Sequence, residues 1–248
     1  MAATVQSVID QLTPKHRVVL PGGVAVIAHG YSRHTQGADI WLDPMSSAEE
    51  WAEAILSACK SVTGTTVHRL PGWTEVFGTQ IASAVEETGM LRILGLDCPL
   101  DIFRRPNEFN ENEFEAVASR TSRSGDGTLL RDPIDLIQSK LDTGRDKDFH
   151  DIQHLESVVR TTYKNRLPTA SLEEAEMMLG RYSEWQVLLP ALQNPSPEVR
   201  ELAMTHLREF AAAGDPFSLA DPRRPRATLT TTPPLRSRRG CRWRSSLA

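Results

Sequence analysis

The chain has 248 residues, 40% of them hydrophobic, and a formal net charge of −4, which is enough apolar material for one large or two modest folded domains. No apolar run approaches the roughly 20 residues of a membrane-spanning helix, and the N-terminal segment lacks the long apolar centre of a secretion signal. We therefore expect a cytoplasmic protein with no membrane partner. The cysteines Cys59, Cys98 and Cys241 have no paired spacing, which argues against a disulfide framework or a zinc cluster.

The charge is distributed unevenly along the chain. Eight of the 28 basic residues are arginines at or after position 223, where lysine and acids are absent, so the first 222 residues hold 20 basic and 32 acidic side chains. This terminal segment is rich in Arg, Pro, Ser and Thr, a composition that does not support a packed core. We expect residues 216–248 to form a disordered basic tail. Such a tail can bind nucleic acid by neutralising phosphates, but we favour an incidental extension of the chain.

The first predicted elements surround a pair of glycines. Residues 4–12 have apolar side chains at the spacing of one helical face, which predicts a helix. An apolar run precedes Gly22 and Gly23 and another follows them, so the pair separates a strand from a second strand or a helix. Further along, Ser46 or Ser47 can cap a helix that has two glutamates in its first turn and helical apolar spacing beyond them.

Between the glycines and that helix lies a strand with an acidic face. Residues 37–43, with the sequence GADIWLD, alternate as a half-buried strand does. Gly37, Asp39 and Trp41 fall on one face of this strand. We expect that face to point toward whatever the protein binds.

The remaining pattern predicts more strands and then helices. Short β-like runs between positions 65 and 103 flank one helical stretch, and almost everything after position 131 has helical spacing. We therefore expect an α/β fold, with a mixed sheet and flanking helices followed by a helical C-terminal region. The predicted divisions are an α/β domain over residues 1–130, a helical region over 131–215 and the tail over 216–248.

The glycine pair and the acidic strand can serve phosphate chemistry together. Consecutive glycines let backbone N–H groups approach a phosphate because no Cβ blocks the way. Divalent ions such as Mg²⁺ take carboxylate oxygens, and a strand supplies two carboxylates on one face only at positions i and i+2. A third acid usually comes from a neighbouring strand. Asp101, between two apolar residues, fits that description, and Asp97 is its competitor.

Two segments resemble a known family. Residues 22–43 resemble the opening of the DNA-polymerase-β-like nucleotidyltransferases, in particular a small bacterial group related to abortive-infection and toxin–antitoxin nucleotidyltransferases. That group has Gly-Gly, often His-Gly, and then Arg-x-Thr-x-Asp-hydrophobic-Asp. Residues 135–155 look like its second signature, in which a helix with Lys precedes Gly-Arg-x-x-Asp and a further Asp. The matching residues are Gly22, Gly23, His29, Gly30, Arg33, Thr35, Asp39, Lys140, Gly144, Arg145, Lys147, Asp148 and Asp151.

The resemblance covers about residues 18–156 and implies a nucleotidyltransferase-like fold. It also implies transfer of a nucleoside monophosphate from an NTP to a hydroxyl of RNA, such as tRNA, or of a protein, with Mg²⁺ or Mn²⁺ as cofactor. The toxin-like relatives imply an antitoxin protein as a partner. The expected catalytic and metal-binding residues are Asp39 and Asp101. The expected nucleotide-binding residues are Gly22, Gly23, Arg33, Thr35, Lys140, Arg145 and Lys147.

The sequence departs from the family pattern at Gly37, where the first acid of the strand pair would stand. Mg²⁺ requires several well-placed oxygens, so the loss of one carboxylate should weaken its binding severely. The alternative function is therefore that of a weak or inactive homologue that binds a nucleotide or a protein. The basic residues of the second signature also have an alternative interpretation, as a solvated helix face with acidic partners.

Overall fold

The computed structural model describes residues 3–104, 111–124, 127–143, 145 and 148–212. Within these ranges, none of the helices combines the length and apolar character that crossing a bilayer requires. The chain forms two compact units. The first takes Met1–Arg166 and Met178–Tyr182, and the second takes Leu167–Met177 and the described residues from Ser183 onward. The predicted domain limits at 130 and 215 stay predictions, and the predicted tail lies outside the described residues.

A mixed β-sheet forms the centre of the first unit. In the described part of the chain it has eight strands in the order β4-β3-β5-β6-β2-β1-β8-β7. The β2–β6 and β1–β8 pairs are parallel, whereas the other neighbours are antiparallel. The strands are β1 (Val18–Leu20), β2 (Ala38–Leu42), β3 (Thr66–Arg69), β4 (Thr74–Glu75), β5 (Met90–Leu94), β6 (Leu100–Phe103), β7 (Ser122–Arg123) and β8 (Leu129–Leu130).

Helices flank the strands and dominate the chain after the last strand. The helices of the described residues are α1 (Val5–Leu12), α2 (Gly23–Ala28), α3 (Ala48–Ser61), α4 (Gln80–Thr88), α5 (Phe114–Ala118), α6 (Pro133–Thr143), α7 (Phe149–Arg166), α8 (Leu172–Arg181), α9 (Trp185–Ala191) and α10 (Pro197–Ala212). The predicted fold class, an α/β fold with a mixed sheet, flanking helices and a helical C-terminal region, is confirmed.

Local capping explains where the helices begin. The Ser47 hydroxyl accepts a hydrogen bond from the Glu50 N–H, and the Glu50 carboxylate accepts one from the Ser47 N–H, which is the reciprocal capping box. Ser47, and not Ser46, is therefore the N-cap residue of α3. At α6, the Asp132 side chain accepts a hydrogen bond from the Ile134 N–H in the first turn, at 2.9 Å.

An aromatic cluster covers one end of β2. The Trp41 ring meets Phe114 of α5 edge to face, with the ring centroids 5.0 Å apart, and Val19 and Leu129 of the neighbouring strands pack into the same buried cluster. Trp41 is completely buried, and its indole N–H donates to the Arg104 carbonyl at 3.0 Å. The expectation that Trp41 faces the binding site is therefore wrong, because α5 covers this end of the strand face.

The other end of the same strand face stays open. In the parallel β2–β6 pair, Asp39 lies opposite Asp101, and in the antiparallel β5–β6 pair, Asp101 lies opposite Arg92. Residues opposite one another on paired strands extend from the same face of a sheet. The fold therefore places Asp39, Asp101 and Arg92 side by side across three neighbouring strands.

In the second unit, Asn194 organises the start of the last helix. Its amide donates to the carbonyls of Leu167 and Ala170 at 2.7 and 2.9 Å, and its own side-chain oxygen accepts from the Ser196 N–H. The Ser196 hydroxyl in turn accepts from the Val199 N–H in the first turn of α10. A buried amide with this many partners fixes the loop from which α10 begins.

Candidate functional site

A cleft of about 840 Å³ opens over the exposed end of the sheet in the first unit. This volume is within the range of small-molecule sites, about 300–1,000 Å³. The lining comes from the start of β2, from β5 and β6, from the beginning of α2 and from the α6–α7 region. It is strongly charged. The charged residues in the lining that the structure describes are Arg33, Arg92, Lys140, Arg145, Asp39, Asp101, Asp148 and Asp151.

Asp39 is a half-buried carboxylate in the lining of the cleft. It makes no hydrogen bond or ion pair with any other residue that the structure describes. Burial raises the pKa of Asp39, and the nearby charge of Asp101 raises it further, whereas Arg145, Lys140 and Arg92 oppose these two effects. An acid that is unpaired, desolvated and next to another carboxylate costs stability in its charged form, so its position here is not explained by folding alone.

Asp101 is held by Arg92 through two parallel hydrogen bonds. Arg92 Nε donates to Asp101 Oδ1 at 2.6 Å, and Arg92 Nη2 donates to Oδ2 at 2.7 Å. The guanidinium also lies over the Trp73 ring, with Cζ 3.7 Å from the ring centroid, a cation–π geometry. Hydrogen bonding to Asp101 raises the pKa of Arg92. Both oxygens of Asp101 are therefore engaged by a cation of the chain itself.

A second set of ion pairs also lines the cleft. In this Lys140 network, the Lys140 ammonium bonds Asp148 at 3.0 Å and Asp151 at 2.7 Å. Asp151 also accepts from Arg33 at 2.7 Å, and Asp148 accepts from Arg145 at 2.6 Å. The Lys140 side chain is only 8% exposed, whereas that of Arg145 is 52% exposed. Lys140 is therefore not part of a solvated helix face, and that alternative is wrong for this residue.

The two glycines leave room for side chains of the cleft. A Cβ on Gly22 would lie 2.0 Å from Asp39 Oδ2, and a Cβ on Gly23 would lie 2.8 Å from Arg33 Nη2 and 3.1 Å from Thr35 Oγ1. Contacts under 3.0 Å are essentially never found for real Cβ atoms. Each glycine thus permits a close approach of the backbone to a predicted functional side chain. The Thr35 hydroxyl donates to a backbone carbonyl of its own loop at 2.6 Å.

The donor set does not fit the Mg²⁺ or Mn²⁺ site that the family resemblance implies. Among the described residues, no three or more His, Cys, Asp or Glu side chains are grouped so that they could hold an ion. Gly37 contributes no carboxylate, and a Cβ there would lie 3.3 Å from the Pro99 carbonyl oxygen. Asp39 and Asp101 remain, and both oxygens of Asp101 already accept from Arg92. Mg²⁺ is usually held by one or two carboxylates together with phosphates and water, and here Asp39 alone of the two carboxylates has oxygens that Arg92 does not already engage.

Most of the predicted site residues come together in this cleft. Those that line it are Gly22, Gly23, Arg33, Thr35, Asp39, Asp101, Lys140 and Arg145. Lys147 lies outside the described residues. The competitor Asp97 instead accepts a hydrogen bond from the Val5 N–H at the start of α1, at 2.8 Å. Arg92 also lines the cleft and was not predicted as a site residue. A lone arginine within the apolar run MLRIL was the pattern that could have indicated it.

Comparison with solved structures gives weak structural similarity to known proteins. A solved structure of a candidate nucleotidyltransferase from H. pylori has a TM-score of 0.35 and 13% identity with this chain, over 84% of this chain and 93% of that chain. No family model and no curated protein match the chain. A similarity of this extent assigns neither a family nor an activity to this chain.

Proposed function

We propose that the cleft binds a nucleoside triphosphate through its arginine side chains. The observation that carries this proposal is that two guanidinium groups are fixed by carboxylates and still keep donors for a ligand. Arg145 uses only Nε in its bond to Asp148, and Arg92 uses Nε and one N–H of Nη2 in its bonds to Asp101. A guanidinium has five N–H donors in a planar array that complements phosphate oxygens. Both groups are preorganised for a polyanion.

The shape and polarity of the cleft support the same ligand class. Eight charged side chains line it, four basic and four acidic. Phe103, Pro21 and Pro99 add apolar surface at the same cleft, which suits the base of a nucleotide. A phosphate chain beside the guanidiniums and a base on this apolar surface would use both kinds of lining.

Transfer of a nucleoside monophosphate is the second candidate function, and the geometry favours binding over transfer. Transfer by the mechanism that the resemblance implies needs Mg²⁺ or Mn²⁺ held by Asp39 and Asp101. The absent carboxylate at Gly37 and the engagement of Asp101 by Arg92 oppose such an ion. An RNA or protein hydroxyl as acceptor, a toxin-like role and an antitoxin partner are supported by the family resemblance alone. We therefore propose a nucleotide-binding protein in which transfer is weak or absent.

Binding can be tested by calorimetric titration of the full chain with ATP, GTP, CTP and UTP. Native protein is expected to bind at least one of them. Arg145→Gln should weaken that binding about tenfold or more, because hydrogen bonds to charged groups are among the strongest in proteins. Arg69→Gln is the matched control, since Arg69 lies on β3 of the same sheet and forms an exposed ion pair with Glu87 of α4. If the folded native protein binds none of the four nucleotides, the proposal is wrong.

Transfer requires a separate assay with labelled NTPs, Mg²⁺ or Mn²⁺, and either tRNA or a protein extract as acceptor. We expect little or no label on either acceptor. Efficient transfer by the native protein that Asp39→Asn abolishes would instead establish the second candidate function. Transfer that survives Asp39→Ala would remove Asp39 from the reaction.

A further inference from the structure

We infer that the cleft binds the phosphates of its nucleotide without a divalent cation, because the Arg92 guanidinium supplies the positive charge beside Asp101. This inference rests on the proposed nucleotide binding and specifies its chemistry. It also contradicts the sequence-based prediction that Asp39 and Asp101 hold Mg²⁺ or Mn²⁺.

Both carboxylate oxygens of Asp101 are already engaged by Arg92. Each of its oxygens accepts a short hydrogen bond from Arg92, at 2.6 and 2.7 Å, a bidentate arrangement that is among the strongest between side chains. A divalent ion that bound Asp101 would have to share these oxygens with a guanidinium, and the two cations would repel each other. Asp101 is therefore a poor ligand for a metal ion as long as Arg92 stays in place.

The surrounding structure keeps Arg92 in place. The guanidinium stacks on Trp73 at 3.7 Å. The Trp73 carbonyl oxygen lies 2.9 Å from His68 Nδ1, and His68 Nε2 lies 2.9 Å from the Thr66 hydroxyl. Releasing Asp101 to a metal ion would therefore cost two charged hydrogen bonds and the aromatic stacking together. Trp73 acts as a positioning residue for Arg92.

Arg92 keeps N–H donors that Asp101 does not use. The bonds to Asp101 use two of the five N–H groups of Arg92, and no other residue in the described ranges accepts the other three. The Arg92 side chain lines the cleft and is 27% exposed. The same guanidinium can therefore hold Asp101 on one edge and donate to a phosphate from the other.

Asp39 distinguishes the two modes of binding. In a metal-dependent cleft, its carboxylate attracts the ion, so neutralising it weakens nucleotide binding. In a metal-free cleft, the same carboxylate repels the phosphates, so neutralising it strengthens binding. Asp39→Asn keeps the size of the side chain, including its close approach to Gly22, and therefore changes the charge with little change in packing.

The test is calorimetric titration with ATP, and in parallel with inorganic triphosphate, in EDTA and again in excess Mg²⁺. Native protein should bind ATP in EDTA with an affinity within about threefold of that in Mg²⁺. In EDTA, Arg92→Gln should weaken binding about tenfold or more, since it removes charged hydrogen bonds, while Asp39→Asn should strengthen it. Arg69→Gln on the neighbouring strand should leave the affinity unchanged.

ATP binding that occurs only with Mg²⁺ and is lost in Asp39→Asn would overturn the inference while leaving nucleotide binding intact. Absence of binding in both buffers would overturn the proposed function as well. The comparison of the two buffers uses native protein only, so it decides the question even if Arg92→Gln does not fold.

Discussion

The contact between Gly22 and Asp39 leads to a sharp prediction about stability. An ideal Cβ at position 22 would lie 2.0 Å from Asp39 Oδ2, 2.9 Å from Cγ and 3.1 Å from Cβ, where an ordinary contact is 3.4–4 Å. All three atoms belong to one short side chain on β2, whose neighbours Ala38 and Ile40 are fully buried. Oδ2 and Cγ make the two contacts under 3.0 Å, a distance that real Cβ atoms essentially never show. Gly22→Ala therefore displaces the Asp39 carboxylate or shifts the backbone of α2 or β2.

Overpacking of this kind costs about 1–3 kcal/mol. At about 2–4 °C per kcal/mol for a chain of this size, the melting temperature of Gly22→Ala should fall by about 2–12 °C. Gly180→Ala is the matched control, because a Cβ at this helical glycine would meet nothing within 4 Å. That substitution should raise the free energy of unfolding by about 0.5–1 kcal/mol, the usual difference between Ala and Gly in a helix.

Urea denaturation of four proteins isolates the contact: native, Gly22→Ala, Asp39→Ala and the double variant. Asp39→Ala removes Oδ2 and Cγ, so the second methyl group should be tolerated much better in that background. A coupling of about 1 kcal/mol or more is expected for residues in such contact. If Gly22→Ala destabilises both backgrounds equally, or neither, the account of this glycine as the space for Asp39 is refuted.

Three other substitutions test the charges and polar groups. Because the pKa of Asp39 is raised above its ordinary value of 3.8, the folded state binds the proton more tightly, and Asp39→Asn should stabilise the protein at pH 7. In denaturation at a series of pH values, this gain should shrink as the pH falls through the folded-state pKa toward 3.8. Lys140→Met leaves two buried aspartates without their shared cation and should cost about 3–5 kcal/mol, whereas Arg208→Met, at an exposed ion pair, should change stability by less than about 1 kcal/mol. Asn194→Ala removes the amide donor to the Leu167 and Ala170 carbonyls, of which Leu167 keeps the Ala170 N–H as a partner at 3.4 Å, and should cost about 1–3 kcal/mol, with the loss of hydrogen-exchange protection greatest in α10. A protected α10 in that variant would show that other contacts hold the helix.

The elements of the fold were largely predictable because each depends on local pattern. The alternation around Asp39 identified β2, and a serine followed by a glutamate three residues later indicated the start of α3. Ser46 and Ser47 both have this spacing, so only the structure shows that Ser47 is the cap. Trp41 shows where local pattern fails. Alternation placed it on the same face as Asp39, but only the packing of α5 determines which end of that face is covered.

The residues of the candidate site were predictable only where they belong to a local sequence pattern. Asp39 and Asp101 follow from strand alternation, because each lies between apolar residues. Arg92 could not be paired with Asp101 from the sequence, since the register of β5 against β6 depends on the assembled sheet. The burial of Lys140 was also not predictable, because helical spacing alone does not show which carboxylates meet it.

Gly37 and Arg92 change the charge of the cleft in the same direction. Relative to the family pattern, Gly37 removes a negative charge, and Arg92 neutralises a second carboxylate, so both favour an anion over a cation. Gly37→Asp alone should therefore not create a metal site, because Asp101 would still be held by Arg92. The double variant Gly37→Asp/Arg92→Gln should bind Mn²⁺ more tightly than native protein or either single variant, as measured by electron paramagnetic resonance titration. The new Cβ would lie 3.3 Å from the Pro99 oxygen, so the melting temperature of each variant must confirm folding. Tight Mn²⁺ binding by folded Gly37→Asp alone would show that Arg92 does not block the site.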